Sequence, residues 1–412
     1  MTQLLDLPIE LIEGVFSYFQ NRSDTGTNDL LQLCRTCRVL RTIAQPLLYV
    51  DVRLINKGFI NHDEANTSLE LIARQFSRTL ESRLDLAGKV RSLSLPAVGG
   101  VKVDDLINTL HNLQVLYLGL LELTPKYPPK FLTLSNRVSV NKLYVESASH
   151  VNLANFGPLL VQPSLERGTF HSTVASYGNA FGKPLSLSHG SVLLSELILE
   201  DCFMRERCLC EFLKACKSLK SFRFRAANCL NLRFQGYHVG ETFLVTPVQI
   251  LEALEIHRTT LESLSLNFDT CGAGFDDENF RYPGFSSFRR LSKLCIESHR
   301  LERFEHLSPA LETVRLTHAV RARMLHLFKQ DPADIQQRFC PNIQSVILTV
   351  YDMETHSASY AQFIGGGYEK ASSEDFHEIR SSKLKFDFVI TDRSASELDE
   401  YHYGAFSKLE DE

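Results

Sequence analysis

The 412 residues contain no tryptophan, no familiar catalytic signature and no apolar run approaching a membrane span. Each absence removes a class of protein. A bilayer crossing needs roughly 18–20 consecutive apolar residues, so no integral membrane helix is expected. MTQLLDLPIE, at the start, lacks the basic region and long apolar core of a secretory signal. Without export, the ten cysteines read as reduced thiols of the cytosol or the nucleus. Asn21-Arg-Ser and Asn66-Thr-Ser then have no meaning as glycosylation sites. A net charge of −5 gives no general basic field, which argues against whole-surface binding of nucleic acid.

The chemistry of known active sites is missing too. G-x-S-x-G, H-E-x-x-H, a Walker loop and a dinucleotide fingerprint are all absent. Gly365-Gly-Gly has neither G-x-G-x-x-G spacing nor a G-K-[ST] ending, so it is no phosphate loop. Cys34-x-x-Cys37 has the spacing of half a zinc site, but the next cysteine is Cys202. Cys202, Cys208, Cys210 and Cys216 cluster in sequence at spacings that match no common finger. Small buried thiols are the better reading. No catalytic residue, metal ligand or cofactor is therefore expected, and the chain reads as a non-enzyme.

What is present begins with a short helical module. Pro8 suits a first helical position, and Glu10 sits in the first turn where the helix dipole favours a negative charge. Ile9, Ile12, Phe16 and Phe19 make one apolar stripe; Leu11, Val15 and Tyr18 make a second beside it. One stripe suffices for one core, so two on so short a helix imply burial on two sides, or a face toward another chain. Asn21–Asn28 reads as a loop, after which Asp29 caps a helix carrying Leu30, Leu33, Cys37, Leu40 and Ala44, stopped by Pro46. Fifty residues with so few apolar side chains cannot build a strong independent core.

LLDLPIELIEGVFSYF followed by DLLQLCRTCRVLRTIAQPLLYVDVRL resembles an F-box of the form common in fungal proteins. The resemblance covers residues 4–53 and rests on Leu-Pro-x-Glu, the Val15-Phe16 pair and the Leu-x-x-Leu-Cys-x-x-Cys helix. The loop is longer than usual, and Tyr49 stands about where many F-boxes carry tryptophan. It implies a three-helix module that docks on the Skp adaptor of an SCF (Skp–cullin–F-box) ubiquitin ligase, and through it on the cullin and RING subunits. Carried over by position, the adaptor contacts would be Leu7, Pro8, Ile12, Val15, Phe16, Leu30 and Leu33.

Beyond the module one pattern recurs: apolar-x-x-apolar-x-apolar, each copy a short strand by its alternation. It appears at Val90, Leu113, Val140, Leu165, Leu194, Leu219, Leu261, Leu291, Leu311 and Ile343. Spacings run mostly from 20 to 32 residues, with one of 42, near the 20–29 of leucine-rich repeats. Helical patterns lie between, at Asp104–Asn112, Glu206–Cys216 and after the capping box Thr246-Pro-Val-Gln249. Thr67-Ser-Leu-Glu offers another capping box, with Leu69, Ile72, Phe76 and Leu80 on one face.

Strand, turn and helix in alternation resemble an irregular leucine-rich-repeat solenoid. The competing reading is an α/β domain with a parallel sheet. Polar residues such as Ser92, Ser94, Arg223 and Arg315 at every second strand position weigh against it, because doubly wound sheets have near-continuous apolar strands. The expected fold is thus an α/β solenoid preceded by a small all-α three-helix F-box. Its parts would be the F-box at 1–54, a helical connector at 55–89, the array at 90–390 with an insert at 352–380, and an acidic tail at 391–412. Leu384-Lys-Phe-Asp-Phe-Val-Ile would be the last strand.

In such an array the strand residues between the buried ones form the binding face. They include Tyr117, Tyr144, Glu196, Ile198, Glu200, Arg223, Arg225, Asn267, Glu297 and Arg315, with Val115, Glu146, Lys293 and Ile347. Aromatic and aliphatic side chains beside charges of both signs suit a protein target, not phosphate or a membrane. Arg223, Arg225, Lys217 and Lys220 form the strongest local basic cluster. The expected function is a substrate receptor of an SCF ligase that is otherwise monomeric, in cytoplasm or nucleus. The alternatives are a repeat scaffold without a role in degradation and an α/β enzyme with an unrecognised site.

Overall fold

Each of the ten apolar-x-x-apolar-x-apolar motifs contributes a strand. A computed structural model of the chain describes residues 7–20, 23–54, 63–96, 103–120, 138–175, 186–227, 245–268, 281–317, 338–351 and 387–393. They fall in two compact units, Met1–Ser172 and Thr173–Glu412.

The first unit opens with α1 (Ile9–Gln20), α2 (Ser23–Thr36) and α3 (Arg38–Leu48). Their shared core is Ile12, Phe16, Leu30, Leu40, Ile43 and Ala44, with Leu33, Cys34, Cys37, Leu47 and Leu48 packed against it. Three details depart from expectation. Ser23 already lies in α2, so most of the anticipated loop is helix. The long second helix instead breaks at Cys37, whose thiol accepts the Leu40 N–H at 3.5 Å and caps α3. Pro46 lies inside the last turn of α3 and does not end it. The chain then passes into β1 (Asp51–Arg53), α4 (Asp63–Ser82), α5 (Leu84–Ala87), β2 (Ser92–Pro96), α6 (Val103–Thr109), β3 (Val115–Leu120), β4 (Lys142–Asn152), α7 (Gly157–Leu160) and the start of β5 (Arg167–Ala175). Thr67 does not cap α4, which begins four residues earlier at Asp63. Strands β1 to β4 pair in parallel, in chain order, with Leu93, Leu116 and Leu143 level with one another.

The second unit continues with β6 (Glu196–Met204), α8 (Glu206–Ala215), β7 (Ser221–Ala226), α9 (Pro247–Leu254), β8 (Ser263–Asn267), β9 (Lys293–Glu297), β10 (Thr313–Thr317), β11 (Ser345–Tyr351) and β12 (Asp387–Arg393). These strands are again parallel and in chain order, and Leu197, Phe222, Leu264, Leu294, Val314 and Val346 form one buried row. The capping box at Thr246 forms as expected: its hydroxyl takes the Gln249 N–H at 3.3 Å, and the Gln249 side chain takes the Thr246 N–H at 2.8 Å.

The architecture corrects the expected fold class. The chain builds an α/β fold on all-parallel sheet structure, not an all-α F-box followed by a leucine-rich-repeat solenoid. The three front helices share one compact unit with β1–β4, and β1 joins the ladder directly. The argument against a parallel sheet assumed both faces fully covered. Here β7, β8 and β10 alternate between buried and half-buried positions, so the polar residues occupy a partly open face of a parallel sheet. The insert at 352–380 and most of the acidic tail lie outside the described residues.

One buried histidine ties a helix to a turn. The Nε2–H of His257 donates to the Leu213 carbonyl at 2.9 Å, because a carbonyl can only accept, and its Nδ1 accepts the Leu219 N–H at 3.4 Å. The Nδ1 contact requires the neutral ring, and burial lowers its pKa below the ordinary value, with His189 adding to that shift and the Leu213 bond opposing it. The unfolded chain binds this proton below about pH 6.5 while the folded chain resists it, so stability falls as pH drops through that value. Melting temperature should fall more between pH 7.5 and 5.5 in the wild-type chain than in His257→Gln. Equal falls would show that this ring is not the titrating group.

Candidate functional site

Two kinds of surface carry side chains that the core does not use. The first is on the front helices. Ile12 and Phe16, at 3% and 1% exposure, point into the helical core. Leu11 and Val15 sit about 100° round the helix from them and stay 56% and 47% exposed, with Ile9 at 52%. Leu31 on α2 and Val39 on α3 are likewise exposed, as is Leu7 just before α1. Polar residues hold the ends in place: the Arg41 Nε–H donates to the Cys34 carbonyl at 2.9 Å.

The expected adaptor contacts thus divide. Leu7, Pro8 and Val15 are exposed, Leu33 is half-buried, and Ile12, Phe16 and Leu30 are inside. The exposed residues that the carried-over list omitted are Ile9, Leu11, Leu31 and Val39. The second stripe, Leu11–Val15–Tyr18, was the signal for Leu11; Ile9 had been placed in the first stripe, and nothing in the pattern singled out Leu31 or Val39.

The second kind is a partly open sheet face, present in each unit taken by itself. In the first unit Tyr117 and Tyr144 are level on adjacent strands, with rings stacked 6.5 Å apart. The Arg167 guanidinium lies 5.8 Å from the Tyr144 ring, in cation–π range. In the second unit parallel register aligns Ile198, Arg223, Ser265, Cys295, Arg315 and Ile347 across β6 to β11. Burial raises the Cys295 pKa, which Ser265, Arg315 and Arg223 partly offset.

A bulge in β6 shapes one end of that face. The register between β6 and β7 shifts between Leu199 and Cys202, and Asp201 adopts φ 51°, a region few side chains favour. The bulge turns two successive carboxylates toward β7. Asp201 grips Arg225 through two oxygens at 3.0 and 2.5 Å, and Glu200 meets Arg223 at 3.5 Å. The basic cluster read from the sequence is therefore split: its arginines are countered on the face, while Lys217 and Lys220 lie exposed before β7. No sequence pattern announced the bulge.

The other expected face residues sit as follows. Glu196, Asn267 and Arg315 are half-buried, whereas Tyr144 and Ile198 are only 7% and 6% exposed. Glu297 is fully buried. It lies at the end of β9, where its carboxylate accepts the Phe268 N–H and the Tyr282 O–H and pairs with Arg300 at 3.5 Å.

Among the described residues the thiols show no arrangement for chemistry. Burial pushes Cys202, Cys216 and Cys340 up to about 12 and Cys208 up to about 11, far from the thiolate range. Cys202 takes part in hydrogen bonding with the Thr173 hydroxyl at 3.2 Å and donates to the Glu200 carbonyl, which steadies the bulge. Among the described residues no group of three or more His, Cys, Asp or Glu gathers as a metal site, and no helix is long and apolar enough to cross a membrane. Compared with known proteins, the chain matches no protein-family model and no curated protein.

Proposed function

We propose that this chain is a substrate-recognition subunit of an SCF-type ubiquitin ligase, without a reacting group of its own. The observation that supports it is the exposed Leu11–Val15 stripe on α1, beside a helical core already filled by Ile12 and Phe16. A helix that has satisfied its own core and still presents leucine, isoleucine and valine is built to meet another surface. The F-box-like sequence of the same helices points to the Skp adaptor as that surface. The partly open sheet face of the second unit, with Arg223, Asn267 and Arg315, would then take the target protein. Catalysis is proximity: the chain holds a target where another enzyme's chemistry reaches it.

The test is capture of the full chain by purified Skp adaptor, comparing wild type with Leu11→Asp/Val15→Asp. Both positions are exposed, so the fold should survive the charges. Adaptor binding should fall by about a hundredfold, as for loss of central apolar contacts in other interfaces. Wild-type failure to bind, or equal binding by the double variant, would remove the reading.

A further inference from the structure

Parallel register sets two arginines on one row of the second unit's sheet face, with only small side chains between them. Arg223 on β7, Ser265 on β8, Cys295 on β9 and Arg315 on β10 are level, and all four are half-buried. At about 4.8 Å per strand the two arginine Cα atoms stand about 14 Å apart, so a hydroxyl and a thiol floor a bay flanked by guanidinium groups. Electrostatics agree with that placement: both guanidiniums pull the Cys295 thiol down against the rise that burial causes.

The charges around the bay do not balance. Glu200, on the β6 side of Arg223, meets it at 3.5 Å. Glu196, level with Ser221, also stands on β6 and so on the far side of Arg223 from the bay. Asp201 is held by Arg225, and Glu297 is fully buried against Arg300. Lys293 and Glu312, both exposed at the amino ends of β9 and β10, sum to zero. The Arg315 guanidinium has no hydrogen bond or ion pair among the described residues. One positive charge is left over, on a side chain that the sheet half-buries, where a cation without a partner costs more than in open water.

We propose that this bay binds a carboxylate of the target protein, on an acidic side chain or at a chain end, held by Arg315 and reached by Arg223 and the Ser265 hydroxyl. One surplus charge calls for one negative charge, and the planar fork of arginine matches a carboxylate through two parallel hydrogen bonds. That a target supplies the carboxylate rests on the recognition reading; the bay itself does not.

The full-length chain, isotope-labelled at arginine, tests it through the Nε–H resonances, assigned with Arg223→Lys and Arg315→Lys. Butyrate stands in for an acidic side chain, N-acetylglycinate for a chain end and butyramide for a neutral group of the same size, all at one ionic strength held with chloride. A carboxylate should move the Arg315 and Arg223 signals together and saturate with a Kd of about 10 mM, as for one charge-assisted contact in a partly open site. The carboxylate that binds more tightly identifies the source. Arg225, already held by Asp201, should stay still, as should every signal with butyramide. In Arg315→Gln the Arg223 response should weaken about tenfold. An unmoved Arg225 signal in that variant shows that the face remains folded. Signals that ignore both carboxylates, follow butyramide equally or move alike at exposed Arg290 would overturn the proposal. So would an Arg223 response unchanged in Arg315→Gln. Adaptor capture does not enter these measurements, so failure of the bay and failure of the ligase reading are told apart.

Discussion

Glu297→Ala is expected to cost the second unit about 3–5 kcal/mol, the usual penalty for breaking a buried charge pair from one side. The carboxylate is fully buried and has three partners: the Phe268 N–H, the Tyr282 hydroxyl and Arg300 at 3.5 Å. Removing it takes the carboxylate away from a guanidinium that is itself only 3% exposed and from the two donors it accepts. It also unfastens a strap. Tyr282 donates its N–H to the Arg300 carbonyl at 3.0 Å and packs on Phe285 at 5.5 Å, while the Phe285 N–H donates to the His306 carbonyl at 2.6 Å. These contacts hold residues 282–285 across the ends of β8 and β9. Urea denaturation followed by tyrosine fluorescence should show the loss as a lower midpoint. Glu297→Leu/Arg300→Met should recover most of it, because an apolar pair of similar volume needs no desolvation. A loss below about 1 kcal/mol in the single variant would mean water already reaches the carboxylate.

The strands were legible because their signal is local. Alternation over six residues places Leu93, Leu116, Phe222, Leu264 and Val314 inward, and all five are at most 1% exposed. Capping at Thr246 was legible for the same reason: a hydroxyl, a proline and a glutamine within four residues determine it. The class of fold was not. Residues such as Arg223 and Ser265 reveal that one strand face is polar, but not how the neighbouring chain treats that face. Weighing the polar alternation against a parallel-sheet α/β fold therefore failed. Glu297 was misplaced by the same logic. Its parity in β9 puts it with Lys293 and Cys295, and only the return of residues 281–285 over the strand's end buries it. That return is set by contacts far apart in sequence. The front helices show an intermediate case. Two stripes on α1 were visible, yet which stripe faces inward depends on where α2 and α3 start, and Cys37 as a cap was not foreseen.

Phe16 and Val15, neighbours in sequence, should therefore behave as opposites. Phe16 is 1% exposed among Ile12, Leu30, Leu40, Ile43 and Ala44, a core too small to absorb a phenyl-sized cavity. Phe16→Ala is expected to cost about 3–5 kcal/mol. Since the cost falls on α1–α3, amide exchange in those helices should quicken by about two to three and a half orders of magnitude. The strands of the second unit should keep their protection. Val15→Asp, at a position 47% exposed, should leave exchange unchanged within about 0.5 kcal/mol. If the exposed stripe meets the Skp adaptor, Val15→Asp weakens capture of a chain whose helices are intact. Phe16→Ala weakens capture only to the extent that the helices have opened, and cooling or added adaptor restores it. The converse result, with Val15→Asp melting α1–α3 and Phe16→Ala leaving them protected, would mean the two stripes had been exchanged. The packing around Ile12 and Leu30 would then need to be redrawn.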